Sequence, residues 1–150
     1  MRPANVLVDM QNHDVLFIDW QSASKIGNIM CSLRSSVPQI PSRWIPFVLG
    51  QDCSQLKSSA RDDIEQWIYA VSFFRMGQKF PWMVQVNKSQ LSFRHENEVY
   101  ESVYNFRQKY YQKYADPLEK ALFDSFNQHQ NETSGPGSEY DKYERIMNSY

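Results

Sequence analysis

The stretch that decides the fold is residues 61–76, Arg-Asp-Asp-Ile-Glu-Gln-Trp-Ile-Tyr-Ala-Val-Ser-Phe-Phe-Arg-Met, which is followed by Gly77. Its apolar side chains recur at spacings of three and four residues, the period of one face of an α-helix. These positions are Ile64, Trp67, Ile68, Val71 and Phe74. The reverse face is apolar as well, which is typical of a helix inside a domain, and a glycine often ends such a helix. We therefore predict a central buried helix from Arg61 to Met76.

Upstream of this helix the sequence predicts a hairpin and a long loop. Residues 5–8 and 14–18 are short β-branched, apolar runs, and the polar residues between them are typical of a turn. Residues 20–56 lose periodicity and gather serine, proline and glycine. A loop of that length in a compact domain usually has a function, so we expect it to face a substrate or to be regulatory.

Downstream of the central helix, the sequence predicts three more helices. One runs from Glu96 to Lys113, the next begins at Asp116, and the last begins at Ser138. Asp116 can cap its helix through the side-chain carboxylate, and Pro117 suits the first helical position. The expected fold class is mainly α with a small β-hairpin, in one domain that covers residues 1–150.

Composition excludes several classes of function. The 16 lysines and arginines nearly balance the 17 acidic residues, so no overall field would draw nucleic acid or an anionic membrane to the chain. The longest apolar stretch, Trp67 to Phe74, is too short to cross a bilayer. Cys31 and Cys53 form no CxxC pair and are too few for a disulfide framework, which favours a reducing, cytoplasmic setting and leaves a nuclear one open.

Two further patterns have ordinary structural explanations. His13, His95 and His129 lie far apart without paired ligand spacing, so no metal cluster is predicted from them. Residues 107–113 interleave basic and aromatic side chains, a pattern that also suits single-stranded nucleic acid. Helical periodicity produces the same interleaving, so we favour a packing face here and expect no nucleic-acid partner.

Three short stretches of the chain, at residues 2–5, 17–21 and 60–82, form a recognisable series of motifs. Residues 2–5, Arg-Pro-Ala-Asn, resemble the end of the catalytic loop, and residues 17–21, Phe-Ile-Asp-Trp-Gln, lie where kinases have Asp-Phe-Gly. Residues 60–69, followed by Phe-Pro-Trp at 80–82, are similar to stretches of casein kinase I, tau-tubulin kinase and vaccinia-related kinase relatives. The chain therefore resembles the C-terminal lobe of a casein kinase I type protein kinase.

The resemblance implies a set of site residues. Asn5 and Asp19 match the two oxygen ligands that hold Mg²⁺ on the phosphates of ATP in an intact kinase, and the hairpin would keep them close together. Arg2 takes the place of the catalytic-loop lysine, with the same charge but another geometry. Asp63 matches the aspartate of the central helix that orients the catalytic loop. Residues 19–49 match the activation segment.

The sequence also departs from the kinase pattern. Phosphoryl transfer needs a glycine-rich cover, a strand lysine, its glutamate partner and a catalytic aspartate. We expect the first three in a missing N-terminal lobe and the catalytic aspartate just upstream of Met1. Trp20 and Gln21 replace the phenylalanine and glycine of Asp-Phe-Gly. Residues 42–49 match the segment that forms the peptide-docking floor in casein kinase I relatives. This segment is altered here, and only Phe47 has the same character as its counterpart. We therefore expect this chain to be inactive by itself.

Three functions remain open at this point. The chain can be part of a serine/threonine kinase that uses ATP and Mg²⁺, a pseudokinase lobe that binds proteins without catalysis, or a remnant without function. We expect a protein substrate or partner and no membrane partner, and we expect nucleotide binding by this chain to be weaker than about millimolar. We also expect self-association, because the predicted hairpin would expose apolar side chains at an open edge.

Overall fold

A computed structural model describes residues 5–9, 11–12, 14–17, 27–28, 37–50, 54–89, 96–128 and 136–150. Strands β1 (Val6–Asp9) and β2 (Asp14–Phe17) pair antiparallel, with Val6 opposite Phe17 and Leu7 opposite Leu16. The helices are α1 (Ile45–Gly50), α2 (Ala60–Arg75), α3 (Met83–Ser89), α4 (Glu96–Lys113), α5 (Pro117–Gln128) and α6 (Pro136–Met147). The structure confirms the mainly α class and the hairpin. None of the described helices is long and apolar enough to span a membrane.

Helix α2 begins and ends through local hydrogen bonds that its sequence provides. The Ser59 side chain accepts the backbone N–H of Arg61 at 3.3 Å, and the Asp62 carboxylate accepts the backbone N–H of Ser59 at 3.2 Å, so a capping box starts the helix. At the other end Gly77 takes a φ of +68°, which glycine adopts at little cost. The predicted helix from Arg61 to Met76 is confirmed, with each end one residue earlier.

The core surrounds α2 and is rich in aromatic rings. Trp82, which follows α2, is 1% exposed, and its ring lies 5.4 Å from that of Tyr69. Tyr111 of α4 stacks on Phe123 of α5 with ring centroids 4.0 Å apart. Helices α4, α5 and α6 contribute further buried side chains, among them Val103, Leu118, Leu122 and Tyr143. Side chains from all six described helices thus form one continuous core.

The apolar sequence of α2 suggested a helix buried on all sides, but part of α2 is exposed. Trp67 and Val71 are half-buried, and Phe74 is 44% exposed. The last turn of α2 lies at the surface, where Arg75 and Met76 are exposed as well. The first three turns of α2 are therefore mostly buried, whereas its last turn is apolar in sequence but largely exposed.

The predicted irregular loop at residues 20–56 is mostly helical over residues 37–50, and that prediction is wrong there. Short 3-10 helices span Val37–Gln39 and Ser42–Trp44, and α1 follows directly. Trp44 and Ile45 are each 6% exposed and belong to the core. The reason is length, because helices of three to six residues are too short to repeat an apolar period.

The capping predicted for α5 is present. The Asp116 carboxylate accepts a hydrogen bond from the backbone N–H of Glu119 at 3.0 Å. In the other direction, the Glu119 carboxylate accepts a hydrogen bond from the backbone N–H of Asp116 at 3.1 Å. Pro117 is the first helical residue. Helix α4 has its predicted bounds, while α6 begins two residues before the predicted Ser138.

Asp116 makes stability depend on acid pH. Burial alone would raise the pKa of this carboxyl, but the Glu119 N–H and the Arg75 guanidinium, 2.5 Å away, outweigh burial and lower it. A lowered pKa stabilises the fold above the ordinary value of about 4, and this stability is lost as pH falls through the folded pKa. We expect Asp116→Asn, which keeps a capping oxygen, to flatten the acid side of the stability curve. Urea unfolding between pH 2 and pH 6 measures this, and a parallel curve would contradict it.

Candidate functional site

The site residues taken from the kinase resemblance lie at different places in the structure. Asn5 directly precedes β1 and is half-buried, whereas Arg2 and Asp19 lie outside the described residues. Because Val6 pairs with Phe17, Asn5 lies at the end of the hairpin where β2 ends. The metal-binding roles of Asn5 and Asp19 and the role of Arg2 stay predictions.

The two adjacent aspartates at the start of α2 differ in environment. Asp63 is the more exposed one, and partial burial raises the pKa of its carboxyl, as does the charge of Asp62. Asp62 is 5% exposed and accepts Arg43 Nε at 2.5 Å and Arg43 Nη2 in a two-bond ion pair. Sequence reasoning singled out Asp63, whose orienting role stays a prediction, and missed the pair between the exposed Arg43 and the buried Asp62.

Glu65, one turn further along α2, holds the segment before α1. Its carboxylate accepts the backbone N–H of Ser42 at 3.0 Å, the Ser42 hydroxyl at 2.6 Å and the Tyr69 hydroxyl. Burial raises the pKa of Tyr69 well above its ordinary value, although the charge of Arg107 opposes this. The phenol therefore stays protonated and donates to Glu65. The carboxylate is 3% exposed and is satisfied from within the protein.

Arg107 of α4 completes this buried cluster. It is fully buried, donates from Nη1 to the Ile40 carbonyl at 2.8 Å and from Nη2 to the Ser42 hydroxyl at 3.0 Å. Its Nη2 lies 3.9 Å from Glu65, and its guanidinium lies 4.1 Å above the Tyr69 ring. The basic and aromatic stretch at residues 107–113 thus contributes Arg107, Tyr110 and Tyr111 to the interior, as the packing interpretation predicted.

An open groove of about 500 Å³ lies beside this cluster. Its walls include Arg43 and Pro46 near α1, Arg61 at the start of α2, Tyr104 of α4 and Phe126 near the end of α5. Part of its lining comes from the carboxylate-bearing side chains Asp62 and Glu65. A cleft of this size can hold a short peptide stretch or a small molecule. We refer to it as the α1 groove.

The charged groups of the α1 groove contact each other or aromatic rings. Arg43 binds Asp62 and also donates from Nη2 to the Lys57 carbonyl at 2.6 Å. The Arg61 guanidinium lies 4.5 Å from the Phe126 ring centroid and donates to the Phe126 carbonyl at 2.9 Å. The groove is therefore a built surface with fixed side chains.

The described residues do not assemble a metal centre. No cluster of three or more histidine, cysteine, aspartate or glutamate side chains within them is arranged to hold a metal ion. What they assemble is the α1 groove and the buried cluster that supports it. Comparisons with protein-family models, with curated proteins and with solved structures find no match for this chain.

Proposed function

We propose that this chain is a casein kinase I-like kinase lobe whose own contribution is to bind a segment of another protein, without transferring phosphate by itself. One observation supports this most directly. Residues 40–44, which the resemblance assigns to the activation segment and its docking floor, are fixed to α2 and α4 by Glu65, Asp62 and Arg107. A binding surface works best when rigid elements position it.

In an intact kinase domain, the proposal extends to serine/threonine phosphorylation with ATP and Mg²⁺. The support is the hairpin register, since Asn5 is next to Val6, Val6 pairs with Phe17, and Asp19 is two positions after Phe17 in the sequence. Oxygen ligands brought to one end of a hairpin suit Mg²⁺. Two cysteines without a CxxC pair agree with a cytoplasmic setting, which is part of the proposal.

The hairpin is a second surface of interest. Leu7 and Leu16 are 49% and 60% exposed and lie opposite each other in the register. An exposed apolar pair on a two-stranded sheet favours contact with another chain. Self-association through this face stays part of the proposal, and sedimentation of the chain at several concentrations measures it.

A measurement of nucleotide binding distinguishes a chain that only binds protein from one that has an active ATP site. We expect calorimetry with ATP and Mg²⁺ to give no heat, or a dissociation constant weaker than about millimolar, because affinity depends on enclosing the ligand. Asp19→Asn should leave that result unchanged. A micromolar constant that Asp19→Asn abolishes would contradict the non-catalytic proposal and favour an active nucleotide site.

Protein binding is tested by titrating the ¹⁵N-labelled chain with a pool of short extended peptides of mixed composition. We expect the amide signals of residues 42–45 and of the first turns of α2 to shift, because the α1 groove is lined there by Ser42, Arg43, Ile45, Arg61, Asp62 and Glu65. A pool that shifts no signal in this region would refute the proposed function.

A further inference from the structure

We propose that the α1 groove takes an uncharged, extended segment that contains prolines, in preference to an acidic segment. This inference rests on the proposed function, because it names the partner chemistry of the same surface.

The acidic side chains of the groove are already in use as acceptors. Both Asp62 oxygens accept from Arg43, and one also accepts the Ser59 N–H. Both Glu65 oxygens accept the Ser42 N–H, at 3.0 Å and 3.1 Å. Both residues are also at most 5% exposed. A partner that brings backbone N–H donors would therefore find these carboxylates occupied.

Arg43 provides a hydrogen-bond donor at the α1 groove. This side chain is 40% exposed, and its Nε and Nη2 bind Asp62 and the Lys57 carbonyl. Its Nη1 has no hydrogen-bond partner among the residues that the structure describes. A guanidinium nitrogen donates and never accepts, so it suits a carbonyl oxygen. Proline residues provide carbonyl acceptors and have no N–H that needs an acceptor.

Charge favours an uncharged partner. The lining carries two arginines against two carboxylates, and Arg43 is paired directly with Asp62. Glu65 has Arg107 behind it. Arg61 lies over the Phe126 ring and donates to the Phe126 carbonyl in the last turns of α5, where the negative end of the helix dipole offsets its charge. An acidic side chain would lose hydration without finding an uncompensated cation.

The exposed lining suits an extended proline-containing chain. Tyr104 is 39% exposed and Pro46 is exposed, whereas the Phe126 ring is 7% exposed and is covered by Arg61. An exposed aromatic ring beside a hydrogen-bond donor suits polyproline II segments, which lose little entropy because they are already extended. The partner we infer has prolines that pack on Tyr104 and Pro46 and a main-chain carbonyl that accepts from Arg43.

Three capped, fluorescein-labelled decapeptides test this with the full chain. One has five prolines and a tyrosine among alanines and glycines, the second replaces its prolines with alanine, and the third replaces two of its alanines with glutamate. We expect fluorescence anisotropy to show the uncharged proline peptide binding at least about tenfold more tightly than the alanine peptide and more tightly than the glutamate peptide.

Matched variants locate the binding. Tyr104→Ala should weaken the proline peptide at least about fivefold, whereas Tyr114→Ala, at a 68% exposed tyrosine outside the groove lining, should leave it unchanged. Equal or tighter binding of the glutamate peptide, or an unchanged constant in Tyr104→Ala, would overturn the inference. If peptides of other composition shift the groove signals and the proline peptide does not, the inference fails while the proposed function stands. If no peptide shifts them, both fail.

Discussion

Replacing Arg107 with methionine is expected to lower the free energy of unfolding by about 3–5 kcal/mol, the usual cost of removing one partner from a buried charge pair. Arg107 is fully buried, so methionine fills much of its space but leaves Glu65 without a nearby cation. The Ile40 carbonyl and the Ser42 hydroxyl lose their donor as well. Urea unfolding followed by circular dichroism measures the change.

Lys120→Met is the matched control for Arg107→Met. Lys120 forms a 2.7 Å ion pair with Asp124 on the surface of α5, with both side chains about half exposed. Exposed pairs of this spacing contribute about 0.3–0.5 kcal/mol, so the control should change little. Adding Glu65→Gln to Arg107→Met removes the unpaired charge, and the double variant should lose less than the sum of the single losses. A loss below about 1 kcal/mol in Arg107→Met would show that the protein tolerates an unpaired Glu65.

Replacing Trp82 with alanine is expected to destabilise the fold by about 3–5 kcal/mol, the cost typical of deleting a large buried aromatic side chain. The indole is 1% exposed and packs against four rings with centroids 5.3 Å to 6.0 Å away. These rings belong to Tyr69, Phe80, Tyr110 and Tyr111. The indole Nε1 also donates to the Pro38 carbonyl at 2.9 Å, so alanine leaves both a cavity and an unsatisfied acceptor.

Two further variants separate the causes of this loss. Trp82→Phe keeps most of the ring packing and removes the bond to Pro38, so it should lose clearly less than alanine; the hydrogen bond itself accounts for about 0.5–1.5 kcal/mol. Tyr114→Ala removes an aromatic ring at a 68% exposed position and should stay within about 0.5 kcal/mol of the parent. Equal losses in the tyrosine and tryptophan alanine variants would contradict the central position of Trp82.

The sequence predicted the long elements well because their signals are local. Helix α4 has its predicted bounds, and α5 begins at the expected Asp116 cap. Both helices carry an apolar period over several turns and recognisable end residues, which decide structure without distant contacts. The segment from residue 37 to residue 50 lacks these signals. Its short helices are held by the far-away side chains Glu65 and Arg107.

The candidate site was less predictable for the same reason. The kinase resemblance pointed to Asn5, Asp19 and Asp63, which are defined by short motifs. The groove is built instead on pairs between distant residues, such as Arg107 with the Ile40 carbonyl, 67 positions apart. One local signal was available, since Arg107 lies four residues from Val103 and four from Tyr111. A charged residue on an otherwise apolar helical face indicates a buried pair, but its partner has to come from the three-dimensional structure.

The backbone N–H of Ser42 is bonded to the carboxylate of a buried glutamate, and no carbonyl of its own helix takes that place. Fraying of a short helix therefore cannot release this amide, which becomes free only when the segment separates from α2. The wall of the groove is thus as stable as the tertiary packing behind it. A partner would meet a preformed surface and lose little free energy in ordering it. Association with this face should then resemble the docking of two rigid bodies, with rates set by collision and orientation and not by a slow rearrangement.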